Sequence, residues 1–509
     1  MLGFSRQIVL LFAFACVCRF ASSAEDSEAV ISHPLDAYNV AWDTPSKDSS
    51  ESMPCGGGDI GLNVWVEQGD ILFYIQRSGS LAENNEYLKL GRVRLQLDPN
   101  PFDADLDEFQ QELNLHAGHV TLVGKANLDS GERLEATVRV WVEVHRPIIH
   151  VEVDGNQQVD ATVCYENWRL TDELIPNNNR RRSFFTLNNY PGEVKLGKDQ
   201  VAHTAEGVLF YHRNPGDNTL PQLLIKQQGL TEYDDDIVDD LRHRTFGGLM
   251  TGPGFADAGV STGKYQTAPF QAWKLRSQEP SRSHRLRIVT HIDQSETLDT
   301  WMQTLQDRAD ASANDLEEAR KKSLVWWAEF WDRSWIIVKP DETNTIDRAW
   351  RTGRNYNLFR YQLGCNVHGE YPSKFNGGNF PKNMVQSWHQ DGIFYARMGM
   401  TEAAAKYTTS KLHDSPRRFP TFWGPGHDWV PDHNWGGSGM IALQEMLMQT
   451  IGNEIRLLPA WPRDWDVKFK LHAPQRTTVE CEYRDGEIVE LKVTPSQRRK
   501  DVIITEEMD

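Results

Sequence analysis

Little in this sequence points to membranes, nucleic acids or metals. Beyond Ala24 no apolar run is long enough to cross a bilayer, so no membrane-spanning helix is expected. Basic residues are in deficit, 54 Lys and Arg against 72 Asp and Glu, for a net charge of −18. A field of that sign repels phosphate backbones and argues against nucleic-acid binding. Cysteines are scarce, six in 509 residues. Cys16 and Cys18 fall in the leader, and Cys55, Cys164, Cys365 and Cys481 are too far apart for a zinc-binding pattern. They read as buried free thiols. The sequence has no P-loop, dinucleotide fingerprint, His-Glu-x-x-His or Gly-x-Ser-x-Gly elbow, which argues against kinases, dehydrogenases, zincins and α/β-hydrolases. Gly56-Gly57-Gly58 leads into a strand rather than a helix, so it reads as a tight β turn and not a phosphate cradle. No metal and no organic cofactor is implied.

What is present begins with an export signal. Arg6 precedes the apolar run Ile8–Cys18, and Ser22 and Ala24 suit the −3 and −1 positions of a cleavage site. A secreted or periplasmic location follows, with residues 1–24 removed. Hydrophobic residues make up 39% of the chain and charged residues 25%, enough for two to four packed domains. Period-two alternation dominates residues 32–292, as in Leu134, Ala136, Val138, Val140, Val142 and Val144, and predicts a large antiparallel β-sandwich. Residues 293–335 read as a helical linker. There Trp326, Trp327, Phe330 and Trp331 form one aromatic face, read as packing onto a neighbouring domain. Residues 340–455 carry helical patterns, and residues 456–509 return to strands as a small C-terminal β domain.

Chemistry concentrates in the segment from Phe422 to Gly437. Trp423, Trp429 and Trp435 stand there beside Asp428, Asp432, His427, His433 and Asn434, broken by Gly and Pro. Ordered loops between helices often carry function. Sugar sites combine aromatic faces for the ring with polar side chains for its hydroxyls. A carbohydrate is therefore the expected partner. Asp432 fits the carboxylate that activates water in glycoside hydrolysis. It fits equally the cap of the following helix. A second polar segment follows a helix and includes Glu370, Lys374 and Asn376. Glu370 is an acid candidate or simply an exposed turn carboxylate. His389-Gln390-Asp391-Gly392 is a weaker turn site.

Several of these stretches resemble a known family. Met53-Pro54-Cys55-Gly56-Gly57-Gly58-Asp59-Ile60-Gly61 resembles the opening of the family called domain of unknown function 5703, itself similar to glycoside hydrolase family 95, the inverting α-L-fucosidases. The Trp326 to Trp331 stripe and Lys374-Phe375-Asn376-Gly377-Gly378 match further segments. Asp432-His433-Asn434-Trp435-Gly436-Gly437, with Gln444-Glu445-Met446-Leu447 and Ile455 to Pro462, resembles the end of the fucosidase catalytic domain. The resemblance implies that Asp432 is the catalytic base, with Asn434 beside it. The expected substrate contacts are Asn434, His433, Trp423, Trp429, Trp435, Asn376 and Lys374. The implied fold is an N-terminal β-sandwich, a helical linker, an (α/α)6-barrel-like helical domain and a C-terminal β domain. That barrel needs roughly 180 residues. Thr343 to Ile455 has room for about four to six helices at those lengths, so the expectation is a partial barrel. The Asn-rich motif and acid Glu of the family pattern are not found. Two functions remain open: an inverting glycoside hydrolase-like enzyme, or a non-catalytic carbohydrate-binding protein or inactive truncated paralogue. A structural surface protein is a third possibility.

Overall fold

The computed structural model describes residues 33–103, 106–128, 131–177, 187, 190–217, 219–370, 390–423 and 433–504. The expected leader lies outside them. No helix among the described residues is long and apolar enough to cross a membrane.

Alternation in the sequence becomes alternation in burial. Along Arg133–Val142, Leu134, Ala136, Val138 and Val140 face inward, while Arg133, Glu135, Thr137 and Arg139 face out. Fifteen strands form one continuous antiparallel system. Its pivot is the 20-residue strand Ile148–Asn167. The first half of that strand pairs with Arg133–Val142 and Ser281–Asp293. Its second half pairs with Gly91–Asp98 and Ala268–Ser277. One strand therefore belongs to two layers, which face each other. Tyr165 of one layer stacks on Phe210 of the other at 4.0 Å between ring centres. Gln111 donates across the gap to Val64 O at 3.1 Å.

Seven helices are described: α1 (Thr219–Gln227), α2 (Leu298–Ala311), α3 (Leu316–Arg333), α4 (Arg348–Gly364), α5 (Asp391–Arg397), α6 (Thr401–Lys411) and α7 (His433–Leu447). The aromatic face of α3 packs on the β layers as its spacing predicts. Trp327, Phe330 and Trp331 are buried, and Trp331 Nε1 donates to Leu115 O at 2.8 Å. Gly118 lies so close beneath Trp327 that a Cβ would stand 2.1 Å from its Nε1.

The expectation of a helical barrel is overturned. The molecule is mostly β, 41% strand against 26% helix, and its dominant feature is the fifteen-stranded system. Between residues 340 and 455 four helices are described, α4 to α7. Among the described residues α5, α6 and α7 pack on one another, while α4 lies against the strands. The reason lies in α4, where most residues on every side are buried. Asn357 donates to Ile336 O at 2.7 Å, Gly353 abuts Tyr38 and Val338, and Cys365 just past its end abuts Gly56.

The C-terminal part is built around an upstream strand. Trp335–Val338 pairs with Val467–Ala473, which continues into Thr477–Arg484 and Glu487–Thr494. Residues between Val338 and Val467, α4 to α7 included, are thus an excursion between two adjacent strands. Tyr38, from the start of the described chain, joins this strand to the rest. Its hydroxyl donates to Val338 O and accepts from Val338 N, both at 2.9 Å. Burial pushes the Tyr38 phenol well above its usual range, against the hydrogen bond to Val338 and the charge of Arg354.

Candidate functional site

The sequence places its chemistry on the connections between α4 and α7, and the helix packing fixes where those connections start and end. Tyr356 of α4 accepts from Gln444 of α7 at 2.9 Å, while Phe359 lies against Gly436. Rising numbers on α4 meet falling numbers on α7, so the two run antiparallel. Tyr395 of α5 packs on Tyr407 of α6 at 5.2 Å, and Gly392 on Thr408 and Ala442. Gly439 of α7 touches Leu412 just after α6. The C-terminal ends of α4 and α6 and the N-terminal ends of α5 and α7 therefore lie at one end of the bundle. Both candidate segments leave from that end and return to it.

Each anchor is held by identifiable bonds. After α4, His368 N donates to Gly58 O at 2.8 Å. The Gly-rich hairpin that supports this turn joins strands Met53–Gly57 and Ile60–Glu67, as read from the sequence. A Cβ on Gly57 would come within 2.8 Å of Val142 O, and one on Gly58, at φ +63°, within 2.7 Å of Val144 O. Glycine is required there for close approach. After α6, Asn355 donates to Leu412 O at 2.8 Å and to Asp414 at 3.0 Å, and Arg354 pairs with the same Asp414. That pins the chain leading to Trp423.

Trp423 is buried, its Nε1 donating to His413 O at 2.8 Å. Its ring packs on Phe359 at 5.7 Å, and the first turn of α7 presses on it at Gly436, where a Cβ would meet the indole at 2.7 Å. Trp435 is half-buried, with Lys411 Nζ 4.2 Å from its ring centre and His413 6.1 Å away. His433 and Asn434 open α7, but their side chains lie outside the described residues. Asp432, Trp429, Asn376 and Lys374 lie outside the described residues altogether. Glu370 is exposed at the last described position after α4, and Asp391 opens α5. Among the described residues, two candidate carboxylates, Glu370 and Asp391, and His413 thus border the same end. The positive end of the α7 dipole favours an ionised carboxylate at its start.

The four cysteines outside the leader are free and buried. Burial pushes Cys55, Cys164 and Cys481 up to about 12, so none is a ready nucleophile. A feature not read from the sequence lies on the β layers, where Tyr74, Tyr87, Trp168 and Tyr265 line a cavity. These residues are scattered along the chain, on strands and on the loops that follow them, and meet only in the fold.

A family model described as a domain of unknown function, DUF5703, matches residues 41–336. No curated protein matches. Among solved structures, the chain is similar to one assigned as a kojibiose phosphorylase from the human microbiome. Identity is 9% and the TM-score 0.38, over 65% of this chain and 41% of that one. It is similar also to a bacterial glucoamylase complexed with acarbose, at 9% identity and a TM-score of 0.34, over 74% of this chain and 54% of that one. The chain thus spans less than two thirds of either structure.

Proposed function

This chain belongs to the DUF5703 family, and from that premise we propose that it acts on glycans as a secreted glycoside hydrolase-like protein. One observation carries the reading. The described residues that flank the two polar segments, Glu370 and Asp391 for one and Trp423 and Trp435 for the other, lie at a single end of the α4–α7 bundle. Convergence of aromatic, amide and carboxylate groups on fixed anchors is what sugar hydrolysis needs. The family's similarity to inverting α-L-fucosidases supports Asp432 as the base that activates water, with Asn434 beside it. His433, Trp429, Trp435, Asn376 and Lys374 are the proposed sugar contacts. Trp423, wedged between α4 and α7, acts by holding the loop. In an inverting mechanism the acid carboxyl stands roughly 6.5–9.5 Å from the base; Glu370 and Asp391 border the same end.

The test is a hydrolysis screen of the secreted protein against aryl α-L-fucosides, α-galactosides and plant polysaccharides, with Asp432→Asn beside it. Loss of turnover with sugar binding retained supports the assignment. Turnover that survives in Asp432→Asn removes Asp432 from the mechanism. Binding without turnover by the folded wild-type chain selects the non-catalytic carbohydrate binder instead.

A further inference from the structure

The outer face of one β layer carries an aromatic cluster separate from the main core: Trp65, Leu72 and Tyr74, joined by Trp168 and Tyr265. An outer sheet face usually presents polar groups to water. Here the hairpin formed by Phe255–Tyr265 and Ala268–Ser277 is tied over it. Tyr265 OH donates to Glu67 Oε2 and accepts from Ser49 N, both at 2.9 Å. Between this hairpin and residues 86–89 a cavity of about 280 Å³ remains open.

Its walls are preformed. Trp168 meets Tyr74 edge to face at 6.0 Å. The Arg92 guanidinium lies 4.0 Å from the Tyr265 ring centre and is neutralised by the buried Glu166. Arg169 is nine-tenths buried and lines the same cavity. Its Nε and Nη2 are taken by Asp199, at 3.0 and 2.5 Å, and Nη2 also by Lys89 O at 2.6 Å. Among the described residues Nη1 has no partner, so its two N–H groups remain for a ligand. Asp199 is itself held by Asn167 at 2.6 Å and His212 at 3.0 Å, so Arg169 cannot swing away cheaply.

We infer that this cavity is a saccharide-binding site, separate from the bundle end, that takes one or two pyranose units. A pyranose offers an apolar C–H face to Trp168 or Tyr87 and oxygen acceptors to Arg169 Nη1. Pockets for small molecules run roughly 300–1,000 Å³, so this one admits a short saccharide or the end of a chain. Lys89 and Glu86 offset one another on the lining, and Arg92 and Arg169 are each balanced by a carboxylate. The site is therefore close to neutral and selects by shape and hydrogen bonding. The acceptor on Arg169 is either a pair of hydroxyls or a sugar carboxylate.

The inference deepens the glycan reading and does not depend on turnover at Asp432. It is tested by calorimetric titration of the full chain with neutral methyl pyranosides, their uronate counterparts and matching disaccharides. Trp168→Ala is expected to weaken binding about tenfold or more, Trp168→Phe to restore much of it, and Asp432→Asn to leave it unchanged. Uronates binding more tightly than neutral sugars would place a carboxylate on Arg169; equal affinity would place hydroxyls there. Saccharide binding that Trp168→Ala leaves intact, or that Asp432→Asn abolishes, overturns this site and leaves the bundle-end reading standing. Binding by no saccharide in the panel, with turnover still present, overturns it as well.

Discussion

Removing one oxygen atom tests how the chain's beginning is tied to its C-terminal sheet. Among the described residues Trp335–Val338 is an edge strand, paired on one side only by Val467–Ala473. The Tyr38 hydroxyl occupies the other side, bonding both the N–H and the C=O of Val338, and both residues are fully buried. Tyr38→Phe leaves two buried backbone groups without a partner. Each costs about 1–3 kcal/mol, offset in part because the phenol oxygen no longer has to be desolvated. A net loss of about 2–4 kcal/mol follows from those terms. Urea denaturation followed by circular dichroism measures it, with Tyr233→Phe as an exposed control expected within about 0.5 kcal/mol of wild type. Hydrogen exchange gives a local reading. The Val338 amide should exchange roughly thirtyfold faster or more, the equivalent of about 2 kcal/mol. An unchanged exchange rate at Val338, or a stability loss below about 0.5 kcal/mol, would refute the reasoning.

Other perturbations test the β layers. Glu166 is buried against Arg92 and also pairs with Arg94 at 2.6 Å, so Glu166→Gln strands a buried guanidinium and should cost about 3–5 kcal/mol in denaturation; a loss under about 1 kcal/mol would refute it. His212 sits between Asp199, at 3.0 Å, and Glu83, at 3.1 Å. Burial disfavours its charge, but hydrogen bonds to both carboxylates outweigh this and raise its pKa above 6.5. A raised folded pKa means that its stabilisation is complete below about pH 6.5 and is lost as pH rises through the folded value. Wild type should therefore lose more stability than His212→Gln between pH 6.5 and 9, as read by thermal melting; parallel pH profiles would refute it.

Much of the β architecture was legible because burial writes itself as alternation. Leu134 to Val142 shows it plainly. The long strand was only half legible. Ile149, Val151 and Val153 alternate, but burial lapses over residues 154–158, where the strand passes from one layer to the next. Trp335 reads as the end of a helix, yet it opens a strand, since the partner that draws it into a sheet lies far downstream at Lys470. Composition located the Trp-rich segment but could not separate an aromatic facing solvent from one wedging helices apart. Trp423 is of the second kind. The barrel expectation came from resemblance, and the covering of α4 by strands depends on contacts that no local pattern encodes. The cavity around Trp168 escaped for the same reason.

Because Val338 and Val467 face each other directly across two neighbouring strands, everything between them is, topologically, a single loop rooted in a rigid base. Doubling or halving such a loop changes its closure entropy by only about 0.6 kcal/mol. By that term alone, lengthening or shortening the part beyond α4 disturbs the frame that carries it very little. The proposed catalytic region is thus held by a frame whose closure constrains its length only weakly.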